Sequence, residues 1–182
     1  MAKIPTPNDR IFPHAVTFCE TVSIRVSPRK VYHFLLHEME RVYPELADGH
    51  ECFRPLDAES LREGAVIDCR ERAGNQEVHH RYVVEKLVQN KHIYYVSKPT
   101  QTFIHLKNRV IEGRANTHVY YDLEADGEVW THLRMTIIIQ MESAFRKWLG
   151  LLFGKMRSIW GQHQQEELKK LVQIIERESP DT

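Results

Sequence analysis

The sequence predicts an α+β domain in which a curved antiparallel sheet of about seven strands wraps around a long C-terminal helix. Apolar residues alternate with a period of two through most of residues 50–141, and a helical period takes over from residue 142 to about residue 178. The links between the predicted strands are too short for parallel crossovers, which makes the sheet antiparallel. A sheet with one apolar face and an amphipathic helix bury those faces against each other.

The first predicted strand covers residues 15–26, which are rich in β-branched residues and alternate in polarity. Ser27 and Pro28 then give a helix start, with Ser as the N-cap and Pro at the first helical position. The helix is predicted over residues 29–42. Pro44 and Gly49 interrupt it and leave room for a second short helical turn.

The meander that follows is punctuated by turn residues. Gly74-Asn75 marks one hairpin, and Asp126-Gly127 gives a tight turn before the last strand. The predicted strands cover residues 50–56, 64–74, 75–88, 91–98, 102–112, 116–127 and 128–141.

Composition restricts the class of protein. The 182 residues show no repeat or linker, which predicts one domain over residues 15–182 after an N-terminal arm over residues 1–14. A net charge of zero disfavours nucleic acid as a partner, and the lack of a long apolar run argues against stable membrane insertion. Three cysteines without a CxxC pair and an N-terminus without an apolar signal region suggest the cytoplasm. A monomer and a homodimer both remain open.

The C-terminal helix carries two polar side chains in the middle of its apolar face. Histidine and glutamate four residues apart lie on one helical face, at a spacing that suits two ligands of one metal ion. The same spacing also fits a solvated Glu and a His near the open end of the sheet. The two polar residues are His163 and Glu167, and the apolar stripe around them holds Phe145, Leu149, Leu152, Met156, Trp160, Leu171 and Ile174.

Strand parity predicts a carboxylate inside the sheet. In the strand over residues 64–74, Glu71 falls on the apolar face and should therefore point into the cavity. In the strand over residues 50–56, parity leaves open whether the face of His50 or that of Phe53 points inward. The residues that share the face of Glu71 are Ala65, Ile67 and Cys69.

A divalent cation would reconcile these polar groups with burial. Two buried carboxylates, Glu71 and Glu167, repel each other and are costly unless they are paired, protonated or bound to a cation. A cation held by both carboxylates and by His50 and His163 satisfies all four groups. This ligand set suits zinc, with iron, manganese or nickel as other divalent transition metals.

Further side chains are candidates for contact with a ligand. His80 shares an inward face with Tyr82, which makes His80 a candidate general acid and Tyr82 a partner for a substrate oxygen. Each also has an ordinary structural role as a satisfied core residue. The rest of the predicted pocket consists of Asn108, Tyr121, Leu133, Met135, Met156 and Trp160.

The order of elements and several segments resemble the helix-grip fold of the SRPBCC or START-like superfamily. The segments are "ETVSIRVSPRKVYHFL", "VYPEL", "REGAVIDCRERAG", "HVYYDLEADGEVWTHLRM" and "EELKKLVQIIE". The resemblance covers nearly the whole chain from residue 15 and implies a cavity for a small apolar or aromatic molecule. The superfamily includes lipid-transfer domains and polyketide cyclases, so the fold alone does not define a reaction.

A narrower resemblance concerns the metal. "YPELADGHECF", "GAVIDCRERAG" and "HQQEE" are similar to the 2,4-diacetylphloroglucinol hydrolase branch, although this chain is shorter. That resemblance implies a zinc held by His50, Glu71, His163 and Glu167, and hydrolysis of an aromatic or polyketide-type ketone by metal-activated water. The alternatives are a non-catalytic carrier or sensor of a lipid or other apolar ligand, and a metal-free polyketide cyclase or aromatase.

Overall fold

The computed structural model describes residues 15–57, 61–141 and 153–179. The predicted arm over residues 1–14 and the predicted helix residues 142–152, with Phe145, Leu149 and Leu152, lie outside the described residues. In chain order, the elements are β1 (Ala15–Ile24), α1 (Pro28–His37), α2 (Met39–Leu46), β2 (His50–Pro55), β3 (Val66–Ala73), β4 (Gln76–Val88), β5 (His92–Leu106), β6 (Arg109–Asp126), β7 (Trp130–Met141) and α3 (Phe153–Glu178).

The seven strands of the described residues form one antiparallel sheet in the order β1-β7-β6-β5-β4-β3-β2. Consecutive strands from β2 to β7 pair as a meander, and the last strand, β7, also pairs with the first strand, β1. The helices α1 and α2 connect β1 with β2, which are the two edge strands. This architecture confirms the predicted α+β fold class of a seven-stranded antiparallel sheet with a C-terminal helix.

Two of the predicted elements have different boundaries. The single helix predicted over residues 29–42 consists of α1 and α2, which separate at Glu38, while Pro44 lies inside α2. The prediction of two separate strands over residues 91–98 and 102–112 is wrong. A single strand, β5, runs through the Lys98-Pro99 step and ends before a turn at residues 107–108. The proline is tolerated there because the β5–β6 ladder is already irregular between Ser97 and Thr100.

The main core lies between the concave face of the sheet and α3. Four apolar side chains of α3 are buried, and they pack in one cluster with residues of the sheet and of α1 and α2. Burial of this stripe, rather than intrinsic helix propensity, stabilises α3 in place. The four residues are Leu168, Leu171, Ile174 and Ile175, and their neighbours in the cluster include Ile24, Ile67 and Leu133.

A row of hydrogen-bonded polar side chains connects three neighbouring strands on the other face of the sheet. His92 of β5, Asp122 of β6 and Arg134 of β7 are register partners. The ring N–H at Nδ1 of His92 donates to Asp122 Oδ1 over 2.7 Å, and Arg134 donates to Asp122 Oδ2 over 3.1 Å. Burial alone would raise the pKa of Asp122, but the bonds from His92 and Arg134 hold it below its usual value.

We predict that Asp122→Asn lowers the free energy of unfolding by about 1 kcal/mol near neutral pH, because His92 and Arg134 lose a charged acceptor. A carboxylate with a lowered folded-state pKa stabilises the fold above its unfolded-state pKa of about 3.9 and loses that effect as pH falls through the folded-state pKa. Denaturant titrations from pH 7 to pH 3 should therefore show the difference shrinking. The exposed Asp126→Asn serves as the control, and a difference that stays constant with pH would contradict the prediction.

Candidate functional site

A bulge in β2 places His50 beside Glu71. His50 is the register partner of Glu71, whereas Cys52 is already opposite Arg70, so Glu51 is an extra residue in β2. A β-bulge of this kind resets the alternation of side chains. As a result His50 and Phe53 are both buried, which answers the question that the parity of β2 leaves open.

The residue before His50 must be glycine. Gly49 has a φ of +95°, which glycine adopts without strain, and a Cβ there would lie 2.3 Å from the carbonyl oxygen of Arg72. The amide of Arg72 donates to the Gly49 carbonyl over 2.8 Å. This close approach fixes the start of β2 against β3, and with it the position of the His50 ring.

The carboxylate of Glu71 is the centre of a polar cluster between sheet and helix. His50 of β2 and His163 of α3 direct their Nε2 atoms to Glu71 Oε2, at 3.4 and 3.5 Å. These two Nε2 atoms lie 2.9 Å apart. On the other side, His80 Nε2 lies 3.0 Å from Glu71 Oε1, and the Tyr43 hydroxyl donates to Oε2 over 3.2 Å.

Groups outside the cluster fix the orientation of two of its histidines. His50 Nδ1 lies 3.0 Å from the carbonyl oxygen of Tyr43, which can only accept, so Nδ1 carries the proton. In the neutral ring, His50 Nε2 is therefore an unprotonated acceptor that faces the cluster. His80 Nδ1 lies 3.0 Å from Thr100 Oγ1, which in turn donates to Thr117. His80 Nδ1 is thus a donor as well.

The pKa values in the cluster reflect a buried ion pair. Burial alone would raise the pKa of Glu71, but bonds from His163, His50 and His80 bring it well below its usual value. Burial alone would lower the pKa of His50, yet the bond to Glu71 and the nearby charge of Glu167 raise it. Glu71 is therefore an anion across the neutral range, and its charge is one reason why the pKa of His50 is raised.

Glu167 lies one helical turn beyond His163 and is buried, but it is not part of the compact group. The ligand atoms that lie within 4.8 Å of one another belong to His50, Glu71 and His163 among the described residues. Burial raises the pKa of Glu167, and the charge of Glu71 adds to the effect of burial while His50 opposes it. Glu167 is accordingly the carboxyl group of the site that most readily holds a proton.

The cluster forms part of the wall of a cavity between the sheet and α3. The cavity has a volume of about 60 Å³, which is well below the 300–1,000 Å³ of pockets that hold drug-sized ligands. Its polar wall includes Glu71, His80, His163, Gln164 and Glu167. Its apolar wall consists mainly of Phe18, Val78, Ala115, Ile137, Ile139, Met141 and Trp160.

The structure brings together only some of the predicted pocket residues. His80, Tyr82 and Trp160 line the cavity. Tyr121, Leu133 and Met135 are buried in the main core rather than in the cavity wall. Asn108 is exposed in the turn between β5 and β6, because the strand predicted over residues 102–112 ends at Leu106. The side chain of Met156 lies outside the described residues.

Several site residues give little signal in the sequence. Tyr43 stacks on His50 with ring centroids 4.0 Å apart, although it lies in α2, far along the chain from Glu71. Gln76 accepts a hydrogen bond of 2.9 Å from Trp160 Nε1. Thr100 follows the Lys98-Pro99 step, where the ladder is irregular, so strand parity does not predict which face of the sheet its side chain lies on. Gln164 directly follows His163, and its adjacency to a candidate ligand is the one clue that the sequence offers.

The three central residues fit a divalent metal by type, and two of the three distances between their ligand atoms fit as well, while the 2.9 Å between the Nε2 atoms of His50 and His163 would have to widen. A tetrahedral zinc with bonds of about 2.1 Å places its ligand atoms about 3.4 Å apart. The distances from Glu71 Oε2 to His50 Nε2 and His163 Nε2 are 3.4 and 3.5 Å. The bond from His50 Nδ1 to a backbone carbonyl is also the support that metal-binding histidines usually have.

Comparison with known proteins defines the class of fold. No protein-family model and no curated protein matches the chain, but many solved structures do. The Zhui aromatase/cyclase from Streptomyces sp. R1128 matches with a TM-score of 0.64 and 13% identity, over 90% of this chain and 95% of that one. Ara h 8.0201 matches with a TM-score of 0.56 and 10% identity, over 88% and 97%.

The chain therefore has the helix-grip fold. The di-domain ARO/CYC BexL from the BE-7585A biosynthetic pathway gives a TM-score of 0.61 at 11% identity, over 93% of this chain and 51% of BexL. At these identities the likeness concerns the fold, and the site has to be argued from its own residues. In the described part of the chain, no helix is long and apolar enough to cross a membrane.

We predict that Glu71→Gln lowers the free energy of unfolding of metal-free protein by roughly 3 kcal/mol near neutral pH, since it leaves buried histidine donors without their anion. Urea denaturation in the presence of a chelator measures the loss. Glu51→Gln, at the half-exposed bulge position of the neighbouring strand, is the matched control and should change stability by less than about 0.5 kcal/mol. Equal effects of the two substitutions would show that Glu71 does not hold the cluster together.

Proposed function

We propose that the chain binds a small apolar or aromatic carbonyl compound in the cavity and hydrolyses it with a divalent metal ion, preferably zinc. The observation that carries the proposal is the convergence of His50, His163 and Glu71, two of which, His163 and Glu71, lie in the wall of the cavity. Three protein ligands of nitrogen and carboxylate type are the usual set of a catalytic zinc, which keeps one position for water or substrate. The Nε2 atoms of His50 and His163 face each other over 2.9 Å, and an ion bound by both nitrogens would take the place of this direct contact.

The chain's own residues provide binding and proton transfer. A bound zinc ion would polarise a carbonyl and lower the pKa of water. His80 lines the cavity and is the candidate proton donor to the leaving carbon; its Nε2 atom lies 3.0 Å from Glu71 Oε1, so it would have to turn from Glu71 to the substrate to donate. Burial raises the pKa of Tyr82 well above its usual value, so its hydroxyl stays a donor for a substrate oxygen.

The size and the lining of the cavity restrict the substrate. Aromatic and aliphatic side chains, including Phe18, Trp160 and Met141, exclude water and favour an apolar ring. A volume of about 60 Å³ is below the roughly 150 Å³ of a cavity that holds benzene, so even one ring requires the wall to move, and a multi-ring compound requires far more movement. We therefore propose a compound with a single ring that carries an acyl group, rather than a long polyketide.

We predict that protein treated with a chelator binds about one zinc per chain, and that His163→Ala weakens zinc binding by at least roughly 100-fold because a ligand is lost. Isothermal titration calorimetry measures the affinity. His132→Ala is the matched control, since His132 lies on β7 away from the cluster and bonds to Ser23. Turnover of one-ring aryl ketones should disappear on chelation and return on addition of zinc. Equal zinc affinity in both variants would contradict the proposal.

A second candidate function is supported by the comparisons. The Zhui protein is named an aromatase/cyclase and BexL an ARO/CYC, and such a role would need the cavity but no metal. The contacts around Glu71 agree with this candidate, because Tyr43, His80 and His50 can balance the charge of the carboxylate by themselves. A carrier of a small apolar ligand fits the same observations. Binding of ring compounds without any specific binding of zinc would favour this second candidate over the hydrolase.

A further inference from the structure

One polar side chain of the cavity wall has an unused hydrogen-bonding atom. Gln164 of α3 lies between the candidate ligand His163 and the outward-facing Gln165. It lines the cavity and is only 2% exposed. Its Oε1 atom is buried and has no hydrogen-bond partner among the described residues.

The orientation of this amide is fixed by the sheet. Gln164 Nε2 donates to the backbone carbonyl of Met135 in β7 over 3.1 Å. A rotated amide would place its oxygen against that carbonyl, where neither atom can donate, so the observed orientation is the favourable one. The unpartnered atom is therefore a carbonyl oxygen, which can accept a hydrogen bond but cannot donate one.

Two other polar side chains of the cavity wall have partners within the protein. Gln76 accepts from Trp160, and His80 is bonded through Thr100 to Thr117. A buried acceptor without a partner is costly, and native structures usually provide one. Gln164 lines the cavity, so a ligand bound there that displaces the packing around Oε1 can supply the missing donor.

We infer that Gln164 is a specificity-determining residue, which selects ring compounds that carry a hydroxyl or N–H donor over isosteric compounds that carry a methyl group. The inference rests on the proposed binding of a one-ring ligand in the cavity, but it does not depend on the metal. The contribution of one such hydrogen bond corresponds to roughly a three- to tenfold difference in affinity.

The test uses phenol and toluene as matched probes with the full-length, chelator-treated protein. Isothermal titration calorimetry gives both affinities for the wild type, for Gln164→Met and for the control Gln165→Met. Gln165 is the neighbouring glutamine, which is exposed and bonds to Glu20 on the outside of the helix. We expect Gln164→Met to weaken phenol binding by about three- to tenfold while toluene binding is kept or improved. Retained binding of toluene also shows that the variant is folded.

A second measurement uses the wild type alone. The side-chain amide signals of Gln164 in a ¹H–¹⁵N spectrum should shift with phenol and shift much less with toluene. The inference is overturned if Gln164→Met changes both affinities by the same factor, or if the amide responds equally to both probes. If neither probe binds the wild type, the proposed ligand cavity itself is wrong. If both probes bind but Gln164→Met does not discriminate between them, only the role of Gln164 is wrong.

Discussion

The largely buried carboxylate of Glu71, whose side chain is 13% exposed, is the constraint on which the rest of the site depends. An anion between sheet and helix is tolerable only when donors surround it, because desolvation of an unpaired charge costs several kcal/mol. His50, His80, His163 and Tyr43 supply these contacts from β2, β4, α3 and α2. Four elements must therefore be in position together, and the lowered pKa of Glu71 is the electrostatic result.

The same requirement explains local features that would otherwise look irregular. The extra residue Glu51 bends β2 so that His50 reaches the concave face, and Gly49 allows the chain to approach Arg72 closely enough to begin that bend. The break in the β4–β5 ladder next to His80 is bridged by a bond from the Arg81 amide to the hydroxyl of Ser97. Each bulge disrupts the hydrogen-bond ladder locally but changes the direction of a side chain. We therefore attribute these bulges to the placement of polar side chains in the site.

The sequence predicts the position of a site residue where that residue lies in a regular strand or helix, and fails where a bulge or turn interrupts the pattern. The inward position of Glu71 follows from simple alternation, and that of His163 follows from the helical period, because both lie in regular elements. The position of His50 could not be derived from parity, since the bulge resets it. The exposed turn at Asn108 was missed because apolar residues continue on both sides of it. The role of Gln164 could not be predicted because it borders the apolar stripe, and only its contact with Met135 shows which end of its amide has a partner.

The most direct test of the central claim, that this cluster is a metal centre, is a zinc-edge anomalous difference map from crystals grown with zinc. Our account predicts one strong peak at bonding distance, about 2.0–2.2 Å, from the Nε2 atoms of His50 and His163 and from an oxygen of Glu71. The contrary result is a map without a peak at this position, in which the two histidines keep their hydrogen bond to each other. That result would leave Glu71 as the anion of a metal-free site.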